Sequence, residues 1–155
     1  MHSMQTRMWS KTGFMGFKLD MSKAYDRVEW IFLEAVMHRL GFEAQWVNLV
    51  MKCIRTVTYA VLVNGKLVGN IRPSSGIRQG DPISPYLFLL CVEALSALLN
   101  RAKRKGAITG VPTSFKGPQL NHLLFANDSM LFCKANSVEW RRLFRILEVY
   151  EAGSG

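Results

Sequence analysis

The dipeptide Asn64-Gly65, set between the apolar runs Tyr59–Val63 and Lys66–Val68, constrains the fold most. Both residues tolerate the positive φ angles of a type I′ turn, so the two runs are expected to pair as an antiparallel hairpin. A second hairpin is expected from Leu120–Phe125, a turn at Ala126-Asn127-Asp128-Ser129 and the strand Met130–Cys133. Phe14–Asp20 is a further strand, an aromatic and apolar run that ends in an acid.

Helical signals lie between these strands. Asp26 with Glu29 has the spacing of a capping box, opening a helix through Ile31, Ala35, Val36 and Leu40 that stops at Gly41. A second helix is expected from Glu43 to about Arg55, burying Trp46, Leu49, Val50, Cys53 and Ile54 along one face. Ser84-Pro85 suits a helix start, and Phe88, Cys91, Leu95 and Leu98 continue a long buried helix. That helix ends at the basic cluster Arg101, Lys103, Arg104 and Lys105, where cations complement the helix dipole. A last helix begins at Ser137 and carries Trp140, Phe144, Leu147 and Val149. Helices and hairpins alternate without a βαβ rhythm, so the fold class is α+β.

The 155 residues make one domain or part of one, and 49% hydrophobic against 20% charged residues excludes disorder. Three cysteines without CxxC spacing argue against a disulfide framework or zinc knuckle and read as small buried apolar residues. The histidines make no metal spacing and are treated as structural. No secretory signal is evident and no spanning helix is expected, so no membrane partner and a nuclear or cytoplasmic residence are anticipated. A formal charge of +9 favours a polyanionic partner, nucleic acid above all.

Three segments could carry chemistry. They are Leu19-Asp20-Met21-Ser22-Lys23-Ala24-Tyr25-Asp26, Arg78-Gln79-Gly80-Asp81-Pro82-Ile83-Ser84-Pro85, and Phe125-Ala126-Asn127-Asp128. Singly, each has a plain structural account as a strand end, a turn or a hairpin tip. Together, two acids at strand-associated positions in a basic chain suit hard divalent cations. Phosphoryl transfer to a growing strand uses two such ions, and a basic surround would grip template and primer through their phosphates.

These three segments, in this order, resemble the catalytic motifs of LINE-type (non-LTR) retrotransposon reverse transcriptases. The first motif is similar from Leu19 to Val28, the second from Arg78 to Phe88, and the third from His122 to Ser129. The resemblance runs from about Gly13 to the last residue. It implies a partial reverse transcriptase domain over 1–155: a palm, with a small antiparallel sheet backed by helices, without fingers or thumb. It further implies RNA-directed DNA polymerase chemistry with two Mg²⁺ ions, an RNA template, a DNA primer and deoxynucleoside triphosphates, and no obligate protein partner.

By the same resemblance, Asp20 and the backbone carbonyl of Met21 would bind metal, with Asp128 the second acid of the third motif. Tyr25, Gln79 and Gly80 would contact the nucleotide, and Arg78 with the Arg101, Lys103, Arg104 and Lys105 cluster the nucleic acid. Asn127 departs from the family, which has Asp-Asp at this tip. Asparagine offers one neutral oxygen where the carboxylate offers two charged ones. The copy is therefore expected to be inactive, and the alternative is a non-catalytic relic that binds RNA or an RNA–DNA hybrid.

Overall fold

The computed structural model describes residues 9–11, 13–20, 23–114, 117–125 and 128–155; the side chains of 9–11, Asp20, Ala24 and Phe125 are not described. The chain forms two compact units. One holds Met1–Ala24 and Val92–Gly153, and the other Tyr25–Cys91 with Ser154–Gly155.

The first unit is built on a four-stranded antiparallel sheet of order β1-β2-β8-β7. Its strands are β1 (Trp9–Lys11), β2 (Phe14–Asp20), β7 (His122–Phe125) and β8 (Asp128–Lys134). Phe17, Leu19, Leu131 and Cys133 alternate toward one face and pack with Leu95 and Leu99 of α4 (Ser84–Arg104) and Leu143 and Leu147 of α5 (Ser137–Ser154). Trp140 stacks on Phe17 at a centroid distance of 4.4 Å. A small ribbon, β5 (Val111–Pro112) with β6 (Gln119–Leu120), lies between α4 and β7 in sequence. The strand expected over Leu120–Phe125 is thus broken at Asn121, and β1 is a strand the sequence does not predict. Too few residues, without alternation, announce either feature.

Glu139 ties this unit together. Asn136 caps α5 by accepting from the Val138 and Glu139 amides at 3.1 and 2.8 Å. The Glu139 carboxylate, instead of completing a capping box, accepts from the Thr109 amide at 2.7 Å, the Thr109 hydroxyl at 2.9 Å and the Lys134 amide at 3.0 Å.

The second unit contains α1 (Ala24–Arg27, with only Ala24 outside it), α2 (Trp30–Arg39), α3 (Ala44–Arg55) and the hairpin β3 (Tyr59–Val63) with β4 (Lys66–Ile71). Asn64 and Gly65 take φ values of 50° and 75°, the turn that the sequence demands. Gly41 (φ 88°) closes α2: its amide donates to His38 and that of Phe42 to Met37, a Schellman motif.

Two expectations fail here. The Asp26–Glu29 capping box does not form, because Asp26 lies inside the short α1 and Glu29 caps α2 without a side-chain bond. The chain breaks there because it is clipped to the loop before α4: Gly76 donates to Val28 O and Ile77 to Tyr25 O, both at 2.8 Å, and Trp30 Nε1 donates to Gly76 O at 2.7 Å. In α3 the buried stripe is Val47, Val50, Met51 and Ile54, whereas Trp46, Leu49 and Cys53 are exposed. Trp46 stacks on Phe42 at 4.9 Å, which settles its ring without burying it.

The hairpin leaves Val61, Leu62, Leu67 and Val68 more than half exposed. Two strands alone supply no layer to bury against. Against the sequence expectation, α4 is long and apolar enough to cross a bilayer. Glu93 interrupts it, and Leu87, Cys91, Leu95 and Leu99, each no more than 1% exposed, serve a protein core, whereas Tyr86 and Leu89 are exposed.

Candidate active site

In the first unit, register places Asp20 directly opposite Asp128 across β2 and β8. Cross-strand partners stand about 4.5–5.5 Å apart at Cα, close enough for two carboxylates to share a cation. Like charges at such positions repel. The Lys18 ammonium lies 2.8 Å from the Asp128 carboxylate, with both side chains about half exposed. At that exposure the pair contributes no more than about 1 kcal/mol. Strand alternation puts Lys18, Asp128 and Met130 on the face away from Leu131 and Cys133, hence away from α4 and α5. The core face stays dry: burial raises the thiol of Cys133 to about 11, with Glu139 adding to the rise. In the second unit burial raises that of Cys91 to about 12.

A carboxylate is a hard oxygen donor, which suits Mg²⁺ better than a soft metal. Among the described residues no three His, Cys, Asp or Glu side chains gather. Met21 and Asn127, the other two positions that the resemblance assigns to metal binding, lie outside the described residues.

The second unit carries the nucleotide candidates. Tyr25 is half-buried and its ring stacks on Phe88 at 5.1 Å. Arg78, Gln79 and Gly80 are exposed in the loop before α4. Gly80 has φ 86°, and a methyl group on its Cα would meet nothing within 4 Å, so its backbone conformation, not crowding, calls for glycine. Asp81 then turns the chain into α4, its carboxylate accepting from the Ile83 amide at 3.1 Å. Sequence reasoning missed Trp30 and Gly76. A Cβ at Gly76 would lie 2.8 Å from Asp26 O, and only a glycine with positive φ beside a tryptophan hinted at the clip.

The basic cluster ends α4. Arg101, Arg104 and Lys105 are exposed, while Lys103 donates to the carbonyl of Gln119. His122 is structural, as expected of the histidines. Its Nε2 meets Ser96 Oγ at 3.0 Å and its Nδ1 meets Asn121 Oδ1 at 2.9 Å. Burial lowers its pKa, with Glu93 opposing and Lys103 reinforcing the shift. Since Asn121 Oδ1 can only accept, Nδ1 carries the proton and Ser96 donates to Nε2.

Asp20 and Asp128 are thus cross-strand partners at the end of an antiparallel sheet in a basic α+β chain. The chain belongs to the reverse transcriptase (RNA-dependent DNA polymerase) family, whose model matches residues 2–153. It is 30% identical over 131 residues to a retrovirus-related Pol polyprotein of the type-1 retrotransposable element R2 from Nasonia vitripennis, covering 83% of this chain and 12% of that one. It is 28% identical over 137 residues to the transposon TX1 uncharacterized 149 kDa protein of Xenopus laevis, covering 88% of this chain and 10% of that one. An uncharacterized mitochondrial protein of Arabidopsis thaliana is 52% identical over 68 residues, 44% of this chain and 56% of its own. The chain therefore spans about half of the Arabidopsis protein and about a tenth of the two transposon proteins. It is a non-LTR retrotransposon-type reverse transcriptase segment, an RNA-directed DNA polymerase by family.

Proposed function

We propose that residues 1–155 form the palm segment of this polymerase and that Asp20 and Asp128 are its catalytic carboxylates. The observation that carries the reading is their cross-strand register. Asp20, the Met21 carbonyl and Asp128 would hold two magnesium ions. When bound, these ions supply the charge that activates a primer hydroxyl and steadies the leaving oxygen. Lys18 neutralises Asp128 in their absence and must yield when a cation is bound. Tyr25 would lie beneath the incoming sugar, Gln79 and Gly80 against the nucleotide and template, and Arg78 against the phosphates of an RNA template and DNA primer.

Asn127 makes this copy inactive. It removes one negative charge from the two-metal site where charge density decides affinity, and losing even one oxyanion donor elsewhere costs about 10²–10³ in rate. The reading is tested by Tb³⁺ luminescence and by primer extension on an RNA template. The natural chain is expected to extend no primer, and Asn127→Asp to bind Tb³⁺ at least about tenfold more tightly. Extension by the natural chain overturns the inactivity, and unchanged Tb³⁺ affinity in both Asn127→Asp and Asp128→Asn overturns the site.

A second reading, a non-catalytic protein that holds RNA or an RNA–DNA hybrid, is favoured by the +9 charge. Binding that does not weaken as salt rises argues against it.

A further inference from the structure

Residues 94–147 hold nine lysines and arginines and two acids, Asp128 and Glu139; Glu93, Glu148 and Glu151 lie just outside that stretch on the same helices. Neither acid is available to neutralise its neighbours. Asp128 is paired with Lys18, and Glu139 is engaged by three hydrogen bonds.

The stretch lies wholly in the first unit, where the sheet separates two surfaces. Lys18 and Asp128 occupy the open face, and α4 and α5 pack against the other. Arg101, Arg104 and Lys105 are exposed at the end of α4, and Arg141, Arg142 and Arg145 along the first half of α5. Arg142 Nη1 donates to the carbonyl of Ala107 at 3.1 Å, which brings the arginines of α5 to the α4 terminus. The helix dipole attracts cations at the end of α4 but not in the first half of α5. Arg141 donates to Ser137 O and Oγ at 3.1 and 3.4 Å, and Arg142 to Ala107, yet each guanidinium keeps further N–H groups for a phosphate.

We propose that these six side chains form a second nucleic-acid contact, on the helix layer, that grips the phosphates of single-stranded RNA outside the polymerase site. A helix is about 10–12 Å across, so a strand lying here is separated by at least that thickness from anything on the aspartate face. Five of the six residues are arginines, whose planar forks match phosphate oxygens in pairs. Phe144, 40% exposed between Arg141 and Arg145, offers a ring for an unpaired base to stack on. This inference rests on the nucleic-acid reading above but not on the metal site.

The test is fluorescence anisotropy of the full chain with labelled, mixed-sequence single-stranded RNA across a salt series. Arg101→Gln, Arg104→Gln, Arg142→Gln and Arg145→Gln together are expected to flatten the slope of log affinity against log salt by about 3, at about 0.7 per single-strand phosphate contact. An unchanged slope, or no binding by the natural chain, overturns the proposal. Should the fourfold variant fail to fold, 4-thiouridine crosslinking of the natural chain decides. Crosslinked peptides spanning 101–107 and 138–146 are expected, and crosslinks confined to other segments overturn it. Phosphatidylserine vesicles that bind and cannot be displaced by RNA also overturn it. Tb³⁺ binding, measured separately on Asp128→Asn, reports the aspartate site alone, so either reading can fail without the other.

Discussion

Replacing Glu139 is the sharpest structural perturbation of the unit that carries the aspartate pair. The residue is 7% exposed, and its carboxylate accepts from two amides and a hydroxyl drawn from Thr109 and Lys134. Desolvation pushes its pKa up, but the hydrogen bonds from Thr109 and Lys134 outweigh that push and hold it below the usual carboxylate value. Glu139→Ala leaves two backbone amides unpaired, at about 1–3 kcal/mol each, of which rearrangement and water recover a share, so a net loss of about 2–4 kcal/mol is expected. For a chain of this size that lowers Tm by about 5–15 °C. Glu139→Gln keeps one acceptor but turns an amide NH₂ toward donors, and should cost about 2 kcal/mol.

Urea unfolding followed by circular dichroism measures the loss, and hydrogen exchange locates it at the amides of Thr109 and Lys134. The sign with pH follows from the depressed pKa. The stabilisation is present above about pH 4.3, the unfolded value, and is lost as pH falls through the lower folded value. A Glu139→Ala variant within about 0.5 kcal/mol of the natural chain, with both amides still protected, would refute the reasoning.

His122 predicts a second loss on the acid side, beginning at higher pH. Its folded pKa is lowered, so the unfolded chain takes up the proton first and stability falls as pH drops below about 6.5. His122→Gln should flatten the urea midpoint between about pH 7.5 and 5.5, and an equally steep profile in that variant would assign the effect elsewhere. Gly76→Ala meets both a positive φ of 86° and a backbone oxygen at 2.8 Å, whereas Gly41→Ala meets a φ of 88° in open space. The first should cost clearly more than the left-handed penalty of about 1–2 kcal/mol that the second pays, and equal losses in urea would remove the clip between Gly76 and α1.

What the sequence made legible was short-range. The Asn64-Gly65 turn, the Gly41 stop, the Ser84 start and the strand Phe14–Asp20 each follow from a residue whose backbone preference or alternation is local. What failed depended on distant partners. Asp26 and Glu29 have capping-box spacing, yet the chain there is held by Gly76 and Ile77, about fifty residues on. Trp46 is the largest apolar residue of α3, yet it is exposed while the smaller Val47 and the flexible Met51 face inward. Cys53 reads as buried with the other cysteines and is instead exposed. The aspartate positions were legible as motifs, but their pairing was not. Only the β2–β8 register, over a hundred residues of separation, makes Asp20 and Asp128 partners.

On the proposed function, the two faces of this sheet divide fold stability from chemistry. Fold stability in the first unit is written on the inward face of the sheet, in Phe17, Leu19, Leu131 and Cys133, each no more than 5% exposed. Chemistry is written on the outward positions, where Asp128 is half exposed and its bond to Lys18 adds little to stability. A change at Asp128 therefore meets little packing constraint, and removing one of two cross-strand like charges relieves repulsion. On that proposal only metal binding calls for an aspartate at position 128, so polymerase activity can be lost while the core and the basic helix layer persist.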